Sequence, residues 1–272
     1  MLPELTEQEA TGDIAQIYRD LRTLCAVLYV SSLQRHLATR PGWLEWAWAS
    51  VKPAFTSGLA QTTAWQLAAE LDIEPLPELS RPALRVLGVD ADGEQAIRTV
   101  CESFIRVSPT NLMFSGLLRQ WLTGGQPAGH QTPRDAWTPP DAMPTLPPLV
   151  SPNTLTPEAR EVLFQFGTQV TGQPFVPGLY RMLAHWPAYM AHLSTVLGPR
   201  FHDAATTACC HALARRIDEA IPVVFAVLPQ GTDVPMPPSE QFSDVLAALE
   251  RYRETSPQMV VFGTLIRDAL PI

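Results

Sequence analysis

Apolar residues recur at spacings of three and four along most of this chain, a pattern typical of helices with one buried face. The clearest stripe lies within residues 2–27, where Thr6 and Glu9 also form a capping-box pattern. Further helices are predicted over residues 28–50, 58–72, 93–106, 108–122 and 156–170. Alternating strand patterns flanked by turns are absent, so the sequence predicts an all-α protein.

The chain also repeats itself. Residues 28–55 recur at 174–201 with an offset of 146, and residues 104–122 recur at 252–270 with an offset of 148. The identical pairs of the first match include Val30/Val176, Leu33/Leu179, Arg35/Arg181, Leu37/Leu183, Ala38/Ala184 and Pro41/Pro187. This period is far too long for a solenoid, so we predict a pseudo-dimer of two homologous helical repeats related by a pseudo-twofold axis.

Prolines and glycines divide the two copies. We predict a first helical repeat over residues 1–122, a Pro-rich linker over 123–155 and a second helical repeat over 156–272. Prolines fix φ and remove backbone donors, which favours an extended linker. The contact between two such repeats is a place where pockets tend to form.

Composition narrows the classes of function. A chain of 272 residues with 46% hydrophobic residues can bury a core, while its net charge of −8 argues against a nucleic-acid or anionic-membrane surface. No apolar run is long enough to span a membrane, and no signal-peptide pattern is present, so we expect a cytoplasmic protein. The four cysteines lack metal-ligand or disulfide spacing and are expected to be buried thiols.

The residues resemble a known family. A repeated Val-x-x-Leu-x-Arg-x-Leu-Ala-x-x-Pro pattern, Lys52-Pro-x-Phe55 and Ser108-Pro-x-Asn-Leu112 occur in an order that is similar to the group I haloacid dehalogenases, which act on both enantiomers of 2-haloacids (DL-2-haloacid dehalogenases). The resemblance covers nearly the whole chain. It implies an all-helical pseudo-dimer with one active site between the repeats and no cofactor. In that family an aspartate of the second repeat activates water, and an asparagine of the first helps to hold it.

The resemblance carries only one of these two residues to this chain. The asparagine falls on Asn111, which either orients a water or carboxylate or caps a helix beginning at Leu112. The aspartate belongs in or beside residues 176–178, but no Asp or Glu occurs from 162 to 202. We therefore expect a divergent family member without the catalytic aspartate. His36, His185 and Asp203 are the candidates for a substitute base.

Two arginines and several neighbouring residues are candidates for ligand binding. Arg35 and Arg181 could each clamp a carboxylate bidentately or could brace their own repeat. The aromatic candidates, Tyr180 and Phe262, could line a ligand pocket or belong to the core. The full set of predicted binding residues is Ser31, Gln34, Arg35, Pro177, Gly178, Tyr180, Arg181 and Phe262.

Three functions remain open at this point. The first is a protein that binds a small carboxylate or apolar ligand between its repeats without efficient dehalogenation. The second is an active hydrolase of short 2-substituted carboxylic acids, and the third is a structural or interaction protein. No metal site is expected, because acidic positions such as Glu70, Asp72 and Glu74 have no histidine at helical spacing. Neither nucleic acid nor membrane is expected as a partner, and a homodimer stays open.

Overall fold

The computed structural model of the protein describes residues 3–129, 137–170 and 173–272, with the backbone alone at 168–170 and 173–174. These residues form eleven α-helices and a two-stranded hairpin, so the predicted all-α class is confirmed. The helices are α1 (Gly12–Cys25), α2 (Ser32–Leu37), α3 (Trp43–Thr56), α4 (Leu59–Ala69), α5 (Arg81–Val86), α6 (Ala91–Leu122), α7 (Pro157–Phe164), α8 (Gly178–Leu183), α9 (Pro187–Val196), α10 (Ala204–Ala226) and α11 (Phe242–Asp268). Short 3-10 helices cover Pro152–Thr154, Gly198–His202 and Ser239–Gln241.

The hairpin is the departure from the predicted pattern. Strands β1 (Thr168–Val170) and β2 (Gln173–Phe175) pair in antiparallel register, with Val170 opposite Gln173. The helix predicted over 156–170 therefore ends early, at Phe164. β-branched residues favour extended backbone, and the proline at 174 cannot donate a helical hydrogen bond. These local preferences overrule the apolar spacing that predicted a longer helix.

The N-terminal capping box forms, but it closes a single turn. The Thr6 amide donates to Glu9 Oε2 at 3.1 Å, and the Glu9 amide donates to Thr6 Oγ1 at 3.3 Å. The chain then passes through Gly12 at φ +54, outside the right-handed helical region. The helix predicted over 2–27 is thus shorter and starts at Gly12.

The segments 93–106 and 108–122, predicted as two helices, form the single helix α6. Pro109 lies inside it, buried, at the cost of one backbone hydrogen bond. Packing on several sides explains why the helix continues, since α6 contacts α4, α10 and, most extensively, α11. Asn111 consequently lies in the middle of a helix, and the expectation that it caps one is wrong.

The helices of the two predicted repeats follow one another in the same order. Helices α2, α3, α4 and α6 of the first half match α8, α9, α10 and α11 of the second. Helices α6 and α11 pack along each other in the centre, while α2 packs on α11 and α8 packs on α6. This exchange of contacts is consistent with the predicted pseudo-dimer. It places the ends of α2 and α8 beside the contact between α6 and α11.

Residues 137–155 of the predicted linker contact both halves. The Met143 amide donates to Ala26 O at 3.2 Å in the first half, and the Val150 amide donates to Arg181 O at 3.2 Å in the second. At its start, the ring of Trp137 lies over Gly58, where a Cβ atom would come within 2.3 Å of it. Residues 137–155 therefore form a strap fixed to both halves by backbone hydrogen bonds and one large ring.

Substitution of Gly58 by alanine should loosen this strap. Gly58 has φ +73 and faces Trp137, so the new methyl group adds a steric clash to backbone strain. Gly88 has φ +77 and no atom within 4 Å of a built Cβ, which makes Gly88→Ala a matched control for the strain alone. Chemical denaturation should show Gly58→Ala losing about 1–2 kcal/mol more stability than Gly88→Ala. Equal losses would mean that the Trp137 contact contributes nothing.

Candidate functional site

A cleft lies where α2, α6, α8 and α11 meet, and we call it the repeat cleft. Its volume is about 470 Å³, including the part open to solvent. It is lined by Tyr29, Ser31, Ser32, Leu33, Phe104, Val107, Ser108, Asn111, Phe175, Pro177, Gly178, Tyr252, Thr255, Ser256 and Met259. Asn111, Ser31, Pro177 and Gly178 are thus the predicted site residues that the structure brings together.

The lining consists mainly of equivalent positions from the two predicted repeats. Seven pairs occur at the offsets of 146 and 148, namely Tyr29/Phe175, Ser31/Pro177, Ser32/Gly178, Phe104/Tyr252, Val107/Thr255, Ser108/Ser256 and Asn111/Met259. A surface built from such pairs is what a pseudo-twofold axis through the cleft would produce. The pairs differ in chemistry at six of the seven positions, so the cleft itself is asymmetric.

This asymmetry gives the repeat cleft two unlike walls. One wall comes from α2, α11 and the residues preceding α2, and it carries most of the hydroxyl groups, together with Leu33 and Met259. The other comes from α6, α8 and the end of β2, and it is mainly apolar but includes Ser108 and Asn111. The polar wall is Tyr29, Ser31, Ser32, Tyr252, Thr255 and Ser256. The apolar wall is Phe104, Val107, Phe175, Pro177 and Gly178. A ligand with one polar and one apolar end would be held in a fixed orientation.

Asn111 is held by a hydrogen-bonded chain. Gln34 Nε2 donates to Asn111 Oδ1 at 3.1 Å, and the Ser31 hydroxyl donates to Gln34 Oε1. With its oxygen engaged, Asn111 can offer its amide hydrogens to a ligand. The predicted residue Gln34 lies behind this contact, in a narrower adjoining crevice that is also lined by Asn111, Leu21 and Phe55.

Arg35 does not line the cleft but contacts residues that do. Its Nη2 donates to Tyr29 Oη at 3.1 Å and to Ser32 Oγ at 3.2 Å, and it forms an ion pair with Glu4 at 2.7 Å. Burial raises the pKa of the Tyr29 phenol, partly offset by Arg35. Tyr29 is therefore protonated at neutral pH and can act as a hydrogen-bond donor.

Besides Gln34 and Arg35, three more predicted binding residues lie outside the repeat cleft. Arg181 Nε donates to Val150 O of the strap at 3.0 Å, which agrees with the bracing alternative. Tyr180 is fully buried and stacks on Phe166 with ring centroids 4.8 Å apart. Phe262 lines a separate groove between α10 and α11. The sequence could not show whether these residues belong to the core or to the cleft, because Tyr180 and Phe262 are aromatic and Arg181 has an identical counterpart in Arg35.

The candidates for a substitute base are all engaged elsewhere. His36 Nδ1 lies 2.8 Å from Pro3 O, and burial lowers the pKa of its imidazole. His185 Nε2 lies 2.9 Å from Pro148 O of the strap. Asp203 accepts from the Thr206 amide at 2.9 Å as the N-cap of α10. Within the described parts of the chain, neither a carboxylate nor an imidazole lines the repeat cleft.

Residue-type reasoning missed several lining residues, chiefly those on α6 and α11. Phe104 and Tyr252 are examples, together with Thr255 on α11. A usable indication was present in the sequence, because each lies at the repeat offset from another cleft residue. Ser108 and Ser256 were matched in the repeat alignment but were not assigned to the site. Applying the repeat offset of 148 to every position near Asn111 would have identified these lining residues of α11.

Three further observations concern the residues that the structure describes. No group of three or more His, Cys, Asp or Glu side chains among them could hold a metal ion. None of their helices is long and apolar enough to cross a membrane. The four cysteines are unpaired thiols in buried positions.

Comparison with known proteins relates the chain to one group of enzymes. It is similar to a configuration-inverting 2-haloacid dehalogenase of Alcaligenes xylosoxydans xylosoxydans, with 29% identity over 205 residues that cover 68% of this chain. The chain spans 64% of the length of that curated relative. No family model matches. The chain is therefore related to 2-haloacid dehalogenases.

Solved structures support the same relationship at the level of the fold. The fold is similar to that of a D-2-haloacid dehalogenase mutant in complex with D-2-CPA, with a TM-score of 0.77. It is also similar to a D-2-haloacid dehalogenase in complex with L-LA, with a TM-score of 0.74. Both comparisons cover 99% of this chain and 96% of the other, at 18% identity. The chain thus has the all-helical fold of D-2-haloacid dehalogenase.

Proposed function

We propose that the protein binds a small 2-substituted carboxylic acid in the repeat cleft without efficient dehalogenation. One observation carries this proposal: the cleft joins a hydroxyl wall, an apolar wall and the Asn111 amide, with no carboxylate or imidazole among its described lining residues. The first three features suit an acid with a halogen or alkyl substituent. The fourth leaves no group at the cleft surface to activate water.

The two walls match the two ends of such a ligand. Hydroxyl hydrogens of the polar wall and the amide hydrogens of Asn111 can donate to a carboxylate, and hydrogen bonds to a charged acceptor are the stronger kind. Phe104 and Phe175 offer an apolar surface for the substituent.

The chemistry of the related enzymes supplies the reason to expect no efficient turnover. The resemblance implies that an aspartate of the second repeat activates the attacking water, at a position in or beside residues 176–178. Pro177 and Gly178 line the repeat cleft at this position, and neither side chain can accept a proton. Loss of a general base typically lowers the rate by about 10²–10⁴-fold.

The two alternatives have less support. An active hydrolase with a substitute base would need His36, His185 or Asp203 in the cleft, and each of them bonds to backbone elsewhere. A purely structural protein with a filled contact between its repeats would leave no such cleft. We therefore retain ligand binding as the function that the site supports best.

Binding should appear as thermal stabilisation by 2-chloropropionate. A ligand that binds the folded state alone stabilises it by about 2.7 kcal/mol at a concentration of 100 times Kd. We expect the melting temperature to rise with concentration for the unsubstituted protein and for Asn153→Ala, which alters an exposed asparagine that does not line the cleft. Asn111→Ala should reduce the rise. The proposal fails if 2-chloropropionate leaves the melting temperature of the unsubstituted protein unchanged.

A further inference from the structure

Gln34 reaches the repeat cleft only through another side chain. It lies on α2, is 3% exposed and lines the crevice behind the cleft instead of the cleft itself. Its Nε2 donates to Asn111 Oδ1 at 3.1 Å, and Asn111 lines both the crevice and the cleft. An effect of Gln34 on a ligand in the cleft must therefore pass through the Asn111 amide.

The other polar side chains of the crevice are engaged elsewhere. The Thr110 hydroxyl donates to a backbone oxygen of α6 at 2.8 Å, and Tyr29 Oη accepts from Arg35 at 3.1 Å. The rest of the lining is mainly apolar. Because an amide group without a partner is costly in such surroundings, Gln34 is the group that holds Asn111 on this side.

Ser31 gives the chain of hydrogen bonds its direction. Its hydroxyl donates to Gln34 Oε1, so the amide nitrogen of Gln34 faces Asn111. If the Asn111 side-chain amide turned over, its N–H groups would face those of Gln34. The oxygen of Asn111 is therefore held towards Gln34, and its amide hydrogens are left for the cleft.

The second repeat has no equivalent of this chain of hydrogen bonds. The counterparts of its three residues at the repeat offsets are Pro177, Tyr180 and Met259. The proline and methionine side chains cannot donate a hydrogen bond, and Tyr180 Oη is buried without a partner among the described residues. The oriented amide therefore exists on one side of the predicted pseudo-twofold axis only.

From this geometry we infer that Gln34 is a positioning residue that makes the repeat cleft select ligands carrying a hydrogen-bond acceptor. It does so by holding the Asn111 oxygen away from the ligand. The inference rests on the proposed function, in which Asn111 donates to the acid. Hydrogen bonds to a charged acceptor are stronger than those to a neutral one, so the selection favours an acid over its amide.

A double-mutant cycle with an acid and its amide tests this role. Calorimetric titration with 2-chloropropionate and 2-chloropropionamide is carried out on the unsubstituted protein, Gln34→Met, Asn111→Ala and the double variant. Gln34→Met should weaken binding of the acid about tenfold and binding of the amide by no more than about twofold. In the Asn111→Ala background, Gln34→Met should have little further effect, because the amide that it positions is absent.

Gln61→Met is the matched control. Gln61 is also a buried glutamine, but its Nε2 donates to Phe55 O at 2.9 Å and to Leu24 O at 3.1 Å, and it does not line the cleft or the crevice. This variant removes the same amide group from the interior. It should leave the ratio of acid to amide affinity unchanged.

The outcomes separate this inference from the proposed function. If the unsubstituted protein binds neither ligand, the proposed function fails and the inference fails with it. If the protein binds the acid, but Gln34→Met weakens both ligands alike or acts fully in the Asn111→Ala background, the proposed function stands and the positioning role is overturned. A rise in the ratio of acid to amide affinity would also overturn it, because Asn111 would then present its oxygen to the cleft.

Discussion

Replacement of Pro177 by aspartate is expected to raise halide release from 2-chloropropionate by about 10²–10⁴-fold over the unsubstituted protein. Pro177 lines the repeat cleft and precedes α8 with extended backbone, at φ −56 and ψ 149. Aspartate is a favoured residue at the N-cap of a helix, so the local fold should accept it. The new carboxylate would supply the base that residues 176–178 lack. Release would be measured with a halide electrode at saturating ligand.

A matched variant separates basicity from shape. Pro177→Asn introduces a side chain of the same size that cannot take a proton at neutral pH, and it should stay inactive. Adding Asn111→Ala to Pro177→Asp should remove most of the gain, since Asn111 is expected to hold the water. If Pro177→Asp binds 2-chloropropionate but releases no halide, a missing base at this position is not what prevents turnover.

Replacement of Arg253 by methionine is expected to lower the free energy of unfolding by about 3–4 kcal/mol. The Arg253 side chain is 6% exposed and forms an ion pair with Asp218. It also donates to Leu112 O at 2.7 Å and to Ser115 Oγ at 3.1 Å, which ties α11 to α6 one residue beyond Asn111. Its loss would leave acceptors in the centre of the fold without this donor. Urea denaturation measures the change.

Arg215→Met is the control for this variant. Arg215 lies on α10 with its side chain 69% exposed, and its distance to Glu219 is 3.9 Å. An exposed pair of this kind contributes little, so the change should stay within about 0.5 kcal/mol. Similar losses for Arg253→Met and Arg215→Met would mean that the Arg253 contacts between α6 and α11 do not stabilise the fold.

Part of the site could be predicted because the family resemblance and the predicted repeat point to some of the same residues. Asn111 follows from the family resemblance, and Ser31, Pro177 and Gly178 are among the predicted binding residues. The structure brings all four to the repeat cleft. Equivalent residues of two repeats approach one another only where they lie near a pseudo-twofold axis, and for such residues an offset in sequence carries information about distance.

The parts that were missed depend on long-range packing. Pro109 locally favours a helix boundary, but contacts with α4, α10 and α11 keep α6 continuous through it. Arg35 and Arg181 are identical in the repeat pattern, yet one donates to cleft hydroxyls and the other to the strap. No local pattern distinguishes these two arginines, because the difference comes from which segment packs beside each.

Halide release under saturation tests the central claim most directly. The protein is incubated with racemic 2-chloropropionate and 2-bromopropionate at concentrations that give full thermal stabilisation, with heat-inactivated protein and Asn111→Ala alongside. Binding without efficient dehalogenation predicts halide release no greater than in the heat-inactivated control. Release well above that control that Asn111→Ala abolishes would contradict the account, because it would require a working base in or near the repeat cleft.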